Sequence, residues 1–347
     1  MRYEVVNPLA EPEWNARLLE YRGATVFHTA QWARVLAETY GYRPQYAVFR
    51  EAEKVVGLLP IMEVRSLWTG RRGVCLPFSD ECAPLLTEGT TASALLELIR
   101  EFGMTHRWDY LELRGGAEDV RSATQTDRFL VHNLTLEASE EAQLRKLRDS
   151  TRRNIQRALK EGVEIHHLQS IDAMDVFYAL HCRTRRRHGL PPQPLRFFHR
   201  IHQSLIEPGS GFVTLARFNS KWIAGAVFLR FGTQAVYKFG ASDPQYQHAR
   251  ANNLVMWQSI CRLQREKVAQ LSLGRSDMDD EGLLQFKRGW GGEEVDLFYQ
   301  RIGFLKSPKR SILRGSNAAG GFSHKIIQRL PIPVLRLMGG VMYRHVG

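Results

Sequence analysis

Leu271–Tyr299, LSLGRSDMDDEGLLQFKRGWGGEEVDLFY, compresses a short apolar run, a polar turn, a short amphipathic helix and a second strand-like run into 29 residues. Arg275, Asp277, Asp279, Asp280, Glu281, Lys287 and Arg288 crowd its centre, and glycines stand at 274, 282, 289, 291 and 292. Glycine lets a backbone approach a ligand closely or take positive φ. Charges of both signs at this density serve either a salt-bridged helix entry or a ligand site. Spacing alone leaves both readings open, and the flanking chain has to decide between them.

Immediately upstream, Asn252–Ala269 reads as a helix with Leu254, Trp257, Ile260 and Cys261 inward. Before it, Phe212–Phe218, Ile223–Phe231 and Gln234–Gly240 read as a three-stranded antiparallel meander, turning first at Asn219-Ser220-Lys221. Met174–His188 and Leu195–Leu205 are helical, and Gly189 and Pro191-Pro192 end the first of these. Glu140–Gly162 reads as one amphipathic helix with Leu144, Leu147, Thr151, Ile155, Ala158 and Leu159 on one face. Its other faces carry Arg145, Lys146, Arg148, Arg152, Arg153, Arg157 and Lys160, a solvated basic face or a grip for a phosphate-bearing substrate.

The first half alternates similarly. RYEVV is a strand, and a helix begins near Glu11–Leu19. Phe27–Tyr42 contains a helix that stops at Gly41, and Tyr46–Phe49 and Val55–Val64 form a β-hairpin around a charged turn. Arg71–Asp80 starts as a strand and breaks at Pro77, Thr91–His106 is helical, Tyr110–Arg114 is an alternating strand, and Phe129–Leu136 is another strand. There is an internal echo: KVVGLLPI after one tight turn and KWIAGAVFLR after another, each a Lys-led strand meeting a glycine, Gly57 or Gly225. A duplicated α/β unit produces such an echo.

Composition narrows the class. Hydrophobic residues make up 44% and charged ones 24%, values of an ordinary globular protein rather than a disordered or fibrous one. Cys75, Cys82, Cys182 and Cys261 form no CxxC pair, so neither a zinc site nor a disulfide framework is indicated, and a reducing cytoplasmic compartment suits them. The first residues carry acids and prolines where a signal peptide needs an apolar run, and no window approaches a membrane-spanning length. Of the net charge of +12, nine positive residues lie between Arg301 and Gly347, a segment without a single acid, which leaves +3 for the rest. Such a tail attracts phosphate polyanions, either RNA or an anionic membrane surface. Its bases alternate with Ile, Leu, Val and Met rather than aromatics, which favours the membrane surface.

The familiar catalytic signatures GxGxxG, GxxxxGK[ST], HExxH and GxSxG are missing. His181 and Cys182, adjacent on a helix, do not face each other. His166 and His167 point to opposite sides of a strand, and His199 and His202 read as structural. What remains is polar residues at loops and strand ends: Asp80 in PFSD, Lys238 in YKFGAS, and Asp243, Arg250, Asn252 and Asn253 before or at a helix start. A helix start is a natural phosphate site. Asn253 also suits a helix cap.

Taken together, STRRNIQRALKEGVEI (150–165), FYALHCRTRRRHGLPPQP (177–194), YKFGASD (237–243), ANNLVMWQSI (251–260) and LGRSDMDDEGLLQFKRGWGG (273–292) resemble the FemAB-like branch of the GNAT N-acyltransferase superfamily. The resemblance spans about residues 27–299 and implies an α/β fold with mixed sheets, built as tandem GNAT-like domains. Their expected limits are 1–139 and 140–305, followed by a basic tail over 306–347. It implies a transferase that moves an acyl or aminoacyl group onto an amine of a phosphorylated cell-envelope, peptidoglycan or exopolysaccharide precursor. The donor would be acyl-CoA or aminoacyl-tRNA, with no tightly bound cofactor and no metal. The pyrophosphate loop of ordinary GNAT enzymes, Gln/Arg-x-x-Gly-x-Gly/Ala, does not precede Asn252, and the long helical arm of larger tRNA-dependent members has no counterpart. The donor therefore stays open. On this resemblance Asp80, Lys238, Asp277 and Glu281 are the candidate catalytic residues. Arg152, Arg153, Asn252, Asn253, Arg275 and Lys287 are the candidate substrate-binding residues. The competing reading is an inactive GNAT-fold module docking on an anionic membrane or RNA.

Overall fold

The computed structural model describes residues 1–116, 119, 125–304 and 321–346, in two compact units. The first comprises 1–130, 296–304 and 341–346; the second comprises 131–295 and 321–340. Each unit is therefore discontinuous, where the sequence pattern suggests linear boundaries at 139/140 and 305/306. Of the basic tail expected over 306–347, residues 306–320 and 347 lie outside the described residues.

In chain order the first unit holds β1 (Arg2–Val6), α1 (Trp14–Leu18), α2 (Ala30–Tyr40), β2 (Arg43–Pro44), β3 (Tyr46–Glu51), β4 (Lys54–Leu59), β5 (Met62–Ser66), β6 (Gly70–Val74), β7 (Leu85–Leu86), α3 (Leu96–Thr105) and β8 (Tyr110–Arg114). Gly41 ends α2, as the sequence predicts, and does so in the left-handed conformation at φ 73°. Strands β1, β3, β4 and β7 form one small sheet, and β8, β6, β5 and β2 are successive neighbours in another. The long arm expected over Val55–Val64 is broken between β4 and β5 at Pro60, which has no N–H to donate. The alternation in Tyr110–Arg114 suggests one wet face, yet all five residues are buried. Glu112 Oε1 accepts from Arg114 Nη2 at 2.9 Å, and its Oε2 accepts from Arg301 Nε at 2.9 Å. Burial works against this carboxylate, but the two guanidiniums hold it below its ordinary range.

β9 (Gln125–Thr135) leads into the second unit: α4 (Glu140–Lys146), α5 (Asp149–Lys160), β10 (Glu164–Leu168), α6 (Ile171–Arg187), α7 (Leu195–Ile201), β11 (Gly211–Phe218), β12 (Lys221–Phe231), β13 (Gln234–Ser242), α8 (Ala251–Arg265), β14 (Gln270–Ser276) and α9 (Glu281–Arg288). β15 (Glu293–Gly303) returns to pair antiparallel with β8 through Tyr299–Gly303. α10 (Gly321–Arg329) and α11 (Ile332–Met342) close the described chain. Among the described residues no helix is long and apolar enough to cross a membrane.

Glu140–Gly162 is two helices rather than one. Leu147 and Arg148 leave the helical region, at ψ 144° and 149°. No proline or glycine marks the break. Its cause is tertiary: Arg148 N donates to Gly289 O at 3.1 Å, and the backbone of Gly291 packs directly on the Lys146 carbonyl. The glycines of the GWGG run are therefore packed into this break. A Cβ at Gly292 would meet Leu134 at 2.6 Å and the Asn133 carbonyl at 2.9 Å.

Both units repeat one construction. β3–β4 turns through Ala52-Glu53, pairs Arg50 with Val55, then slips so that Phe49 faces Gly57. β11–β12 turns through Asn219-Ser220, pairs Arg217 with Trp222, then slips so that Ala216 faces Ala224. The β-bulge falls at the same offset after a Lys-led start. In each unit a helix then links two parallel strands: α3 between β6 and β8, and α8 between β13 and β14. The duplication suggested by the echo is present as topology.

Candidate functional site

In the second unit β13 and β14 pair in parallel over three positions only, Gln234–Gln270 to Val236–Ser272. Beyond that the two strands no longer pair with each other, although β13 runs on to Ser242 along β12 and β14 runs on to Ser276. Two adjacent strand ends parted in this way open a gap between their facing edges at the carboxyl end of a parallel pair, where α/β folds bind ligands. Just past the last pair, β13 also bulges against β12: Phe228 faces Tyr237 and Val227 faces Phe239, so Lys238 is the inserted residue. A bulge re-aims its side chain. The half-buried Lys238 Nζ lies 5.1 Å from the Phe239 ring centroid. Tyr237 folds back across Gly240, where a Cβ would overlap its hydroxyl, and burial pushes the phenol up to about 12.

The end of β13 is fastened on two sides. Ser242 N donates to Thr184 Oγ1 at 3.1 Å, and Arg183 Nη1 donates to Asp243 Oδ2 at 2.6 Å, both from α6. Asp243 Oδ1 also caps the 3₁₀ segment Pro244–Ala249 through Gln245 N at 3.1 Å. Arg250 then takes a left-handed conformation, φ 55°, and opens α8 with no side-chain cap. Asn252 Nδ2 reaches Ser242 Oγ at 3.3 Å. Asn253 is inside the first turn, its N–H donating to Arg250 O at 3.0 Å, so it is not the helix cap.

Across the opening, Gly274 sits at φ 71° in β14. Lys287, on α9 and only 2% exposed, donates from Nζ to Gly274 O at 2.6 Å and to Arg275 O at 3.0 Å. The sequence suggests Lys287 as a surface grip for phosphate; its placement is instead that of a strap between α9 and β14. Arg275 and Asp277 are half-buried on either side of Ser276, whose buried hydroxyl has no hydrogen-bond partner among the described residues. Asp280 caps α9 by accepting from Leu283 N at 3.1 Å, while Asp279 and Glu281 are exposed. Burial, then the Lys287 ammonium, holds His132 on β9 below the usual imidazole range, against the pull of Glu294, whose Oε2 is 3.0 Å away.

Six candidates, Lys238, Asn252, Asn253, Arg275, Asp277 and Glu281, thus fall on the parted strand ends and the two helix starts beside them, and a seventh, Lys287, reaches β14 from the last turn of α9. The other three do not. Arg152 pairs with Asp149 on its own helix and reaches Leu144 O at 3.4 Å, near the C-terminal end of α9 rather than its start. Arg153 is exposed. Asp80 belongs to the first unit, after Leu76 and Phe78 at φ 38° and 62°. Arg114 Nη1 donates to Leu76 O and Ser79 O at 3.2 Å each, and the Tyr299 hydroxyl donates to Asp80 O at 2.5 Å. That strained loop is held by its own backbone contacts. Sequence reasoning missed Arg183, Thr184 and Ser276. The run of arginines in RTRRRH hides the one that pairs with Asp243, and nothing local distinguishes the other two. Among the described residues no group of three or more His, Cys, Asp or Glu is placed to hold a metal ion.

This strand-and-helix order has known counterparts. Residues 145–288 match the family model of the acetyltransferase (GNAT) domain. Over 92 residues, 26% of this chain and 27% of the relative, the chain is 25% identical to the UDP-N-acetylmuramoylpentapeptide-lysine N(6)-alanyltransferase of Weissella viridescens. The crystal structure of FemX superposes with TM-score 0.65 at 12% identity, covering 86% of this chain and 97% of that one. Residues 145–288 carry the GNAT domain match, in a fold that FemX shares. A tandem GNAT protein from the clavulanic acid biosynthesis pathway is also similar, with TM-score 0.57, 12% identity, and 87% and 98% of the two chains covered. So is the C-terminal domain of a putative lysylphosphatidylglycerol synthetase from Agrobacterium fabrum, with TM-score 0.54, 15% identity, and 83% and 92% covered. At such identities the structures speak for the fold alone. The chain spans about a quarter of the alanyltransferase's length, and the parting of β13 and β14 lies inside the matched GNAT domain.

Proposed function

We propose that this chain transfers an acyl or aminoacyl group to a primary amine, forming an amide, on a phosphorylated precursor of the cell envelope. A peptide amine of a peptidoglycan precursor is the preferred acceptor, by analogy with the lysine acceptor in the alanyltransferase's name. The observation that carries the reading is Lys238, bulged out of β13 at the point where β13 and β14 part.

The amine attacks the acyl carbon, and the carbonyl π pair moves onto oxygen. When the tetrahedral adduct collapses, the donor's thiolate (acyl-CoA) or ribose oxygen (aminoacyl-tRNA) leaves with the bonding pair. The proton lost by the nitrogen goes to a carboxylate and on to the leaving group. In this scheme the Lys238 ammonium stabilises the developing oxyanion, a role worth about 3 kcal/mol in comparable sites. Asp277, at the end of β14, receives the proton, with Glu281 as the exposed alternative. Arg275, Asn252 and the uncapped start of α8 hold phosphate. Lys287 acts as a positioning residue, fixing the carbonyls of Gly274 and Arg275. The role proposed for Asp80 is confined to the strand end of the first unit, and those of Arg152 and Arg153 to charge attraction on α5. The tail over 306–347 docks on an anionic membrane surface or contacts tRNA.

The described part of that tail packs onto the protein: Leu335 is fully buried, Arg336 stacks on Tyr178 at 5.2 Å, and Gln328 Nε2 donates to Arg187 O at 2.9 Å. Deleting it would uncover this surface, so point variants are the better test. Arg275→Ala should cut transfer at least ten-fold while the unfolding midpoint holds. Unchanged turnover removes Arg275 from the site. The competing reading, an inactive GNAT fold that binds anionic membrane or RNA, draws on the acid-free tail and the exposed bases of α5. It prevails if neither labelled acyl-CoA nor charged tRNA yields product.

A further inference from the structure

The β5–β6 hairpin carries Leu67 and Trp68 at its tip, 95% and 55% exposed. Neither contributes to the core, and a hairpin tip needs polar or small residues rather than a Leu-Trp pair. The tip is nevertheless held in place. Ser66 Oγ accepts from Trp68 N and Thr69 N at 3.0 Å each, and Ser66 Oγ and His345 Nδ1 are 3.0 Å apart. Thr69 Oγ1 and Arg72 Nη2 both donate to His345 O at 2.9 Å, and the Trp68 ring lies 4.2 Å from the His345 ring. The C-terminal turn is thereby stapled to the hairpin. It adds exposed Arg344, while α11, which leads into it, adds exposed Val341. The hairpin contributes Arg65 and Arg71, both paired with the buried Glu63 at 2.5 and 2.6 Å, so two positive charges stand over one negative.

We propose that this hairpin tip is a wedge that enters the headgroup layer of an anionic bilayer, with Leu67 and Trp68 inserted and the exposed Arg344 meeting lipid phosphate. Tryptophan suits the boundary between headgroups and acyl chains, and basic residues add attraction to anionic lipid. A second protein copy would need apolar area to match; a net-positive rim, Arg65 and Arg71 over one Glu63 with Arg344 beside them, fits anionic lipid better. The inference rests on the membrane-docking part of the reading above and is independent of the transfer chemistry.

The test is sedimentation of the full chain with vesicles of phosphatidylcholine containing 30% phosphatidylglycerol, compared with pure phosphatidylcholine. Leu67→Glu/Trp68→Glu should weaken binding to the anionic vesicles at least ten-fold, and Arg344→Glu should weaken it less, with unchanged thermal midpoints. Wild-type binding should fall as salt rises. Binding of the double variant equal to wild type overturns the wedge but leaves tail docking intact. Absence of wild-type binding overturns both. A wild-type dimer that the double variant dissociates, without vesicle binding, assigns the tip to self-association; loss of tRNA binding instead assigns it to RNA. Turnover on a soluble acceptor should be the same in wild type and double variant, which separates this result from the transfer reaction.

Discussion

Lys287 Nζ lies 2.6 Å from the carbonyl oxygen of Gly274, an ammonium inside the protein joined to a strand residue at φ 71°. The bond ties α9 to β14 just before Arg275, Ser276 and Asp277. Removing it leaves two inward-facing carbonyls short of a donor, at a cost of about 1–3 kcal/mol. Lys287→Met should therefore lower the urea midpoint as well as turnover. A Lys287→Met protein as stable as wild type would contradict the strap.

The GWGG run should be intolerant of side chains. Gly291 has φ 73° and abuts the Lys146 carbonyl. Gly291→Ala should destabilise the chain by about 2 kcal/mol or more, through backbone strain and overlap. Gly282, whose nearest neighbour to an added Cβ is Asp280 Oδ1 at 3.8 Å, should accept alanine with little change. Denaturant titration of the two variants side by side checks the contrast.

Stability should fall in mild acid for a reason independent of the site. Burial lowers His28 to about 4 and His181 to about 3. Below the ordinary value near 6.5 the unfolded chain takes up these protons while the folded chain does not. Folding free energy therefore drops as pH falls from about 6.5 toward 4, by about 1 kcal/mol per pH unit for each histidine. His181→Gln should flatten that slope between pH 6.5 and 4. An unaltered slope would show that His181 titrates normally.

Lys238 distinguishes two chemical roles. If its ammonium meets the oxyanion, Lys238→Ala lowers kcat about 10²- to 10³-fold with KM little changed. If it holds acceptor phosphate, KM rises instead. Because the side chain is bulged from β13 and half-buried, the unfolding free energy should stay within about 0.5 kcal/mol of wild type.

Much of the fold was legible because its signals are local. The Gly41 stop and the Lys-led strands after Glu53 and Ser220 follow from neighbouring residues. The break at Leu147–Arg148 was illegible because its cause, Gly289–Gly292, lies more than 140 residues away in the chain. The site was half legible. Polar residues at strand ends were found by type, but whether a lysine faces substrate or its own backbone is set by tertiary packing. Lys238 and Lys287 look alike in sequence, yet one is bulged from a strand and the other is buried under carbonyls.

The most direct test of the central claim offers labelled acyl-CoAs and charged tRNAs separately to an amine-bearing peptidoglycan precursor, with wild-type and Lys238→Ala protein. Wild type should form an amide product from one donor, and that product should be almost completely lost in a variant with an unchanged unfolding midpoint. Product formed equally well by both proteins, or by neither with any donor, would contradict it.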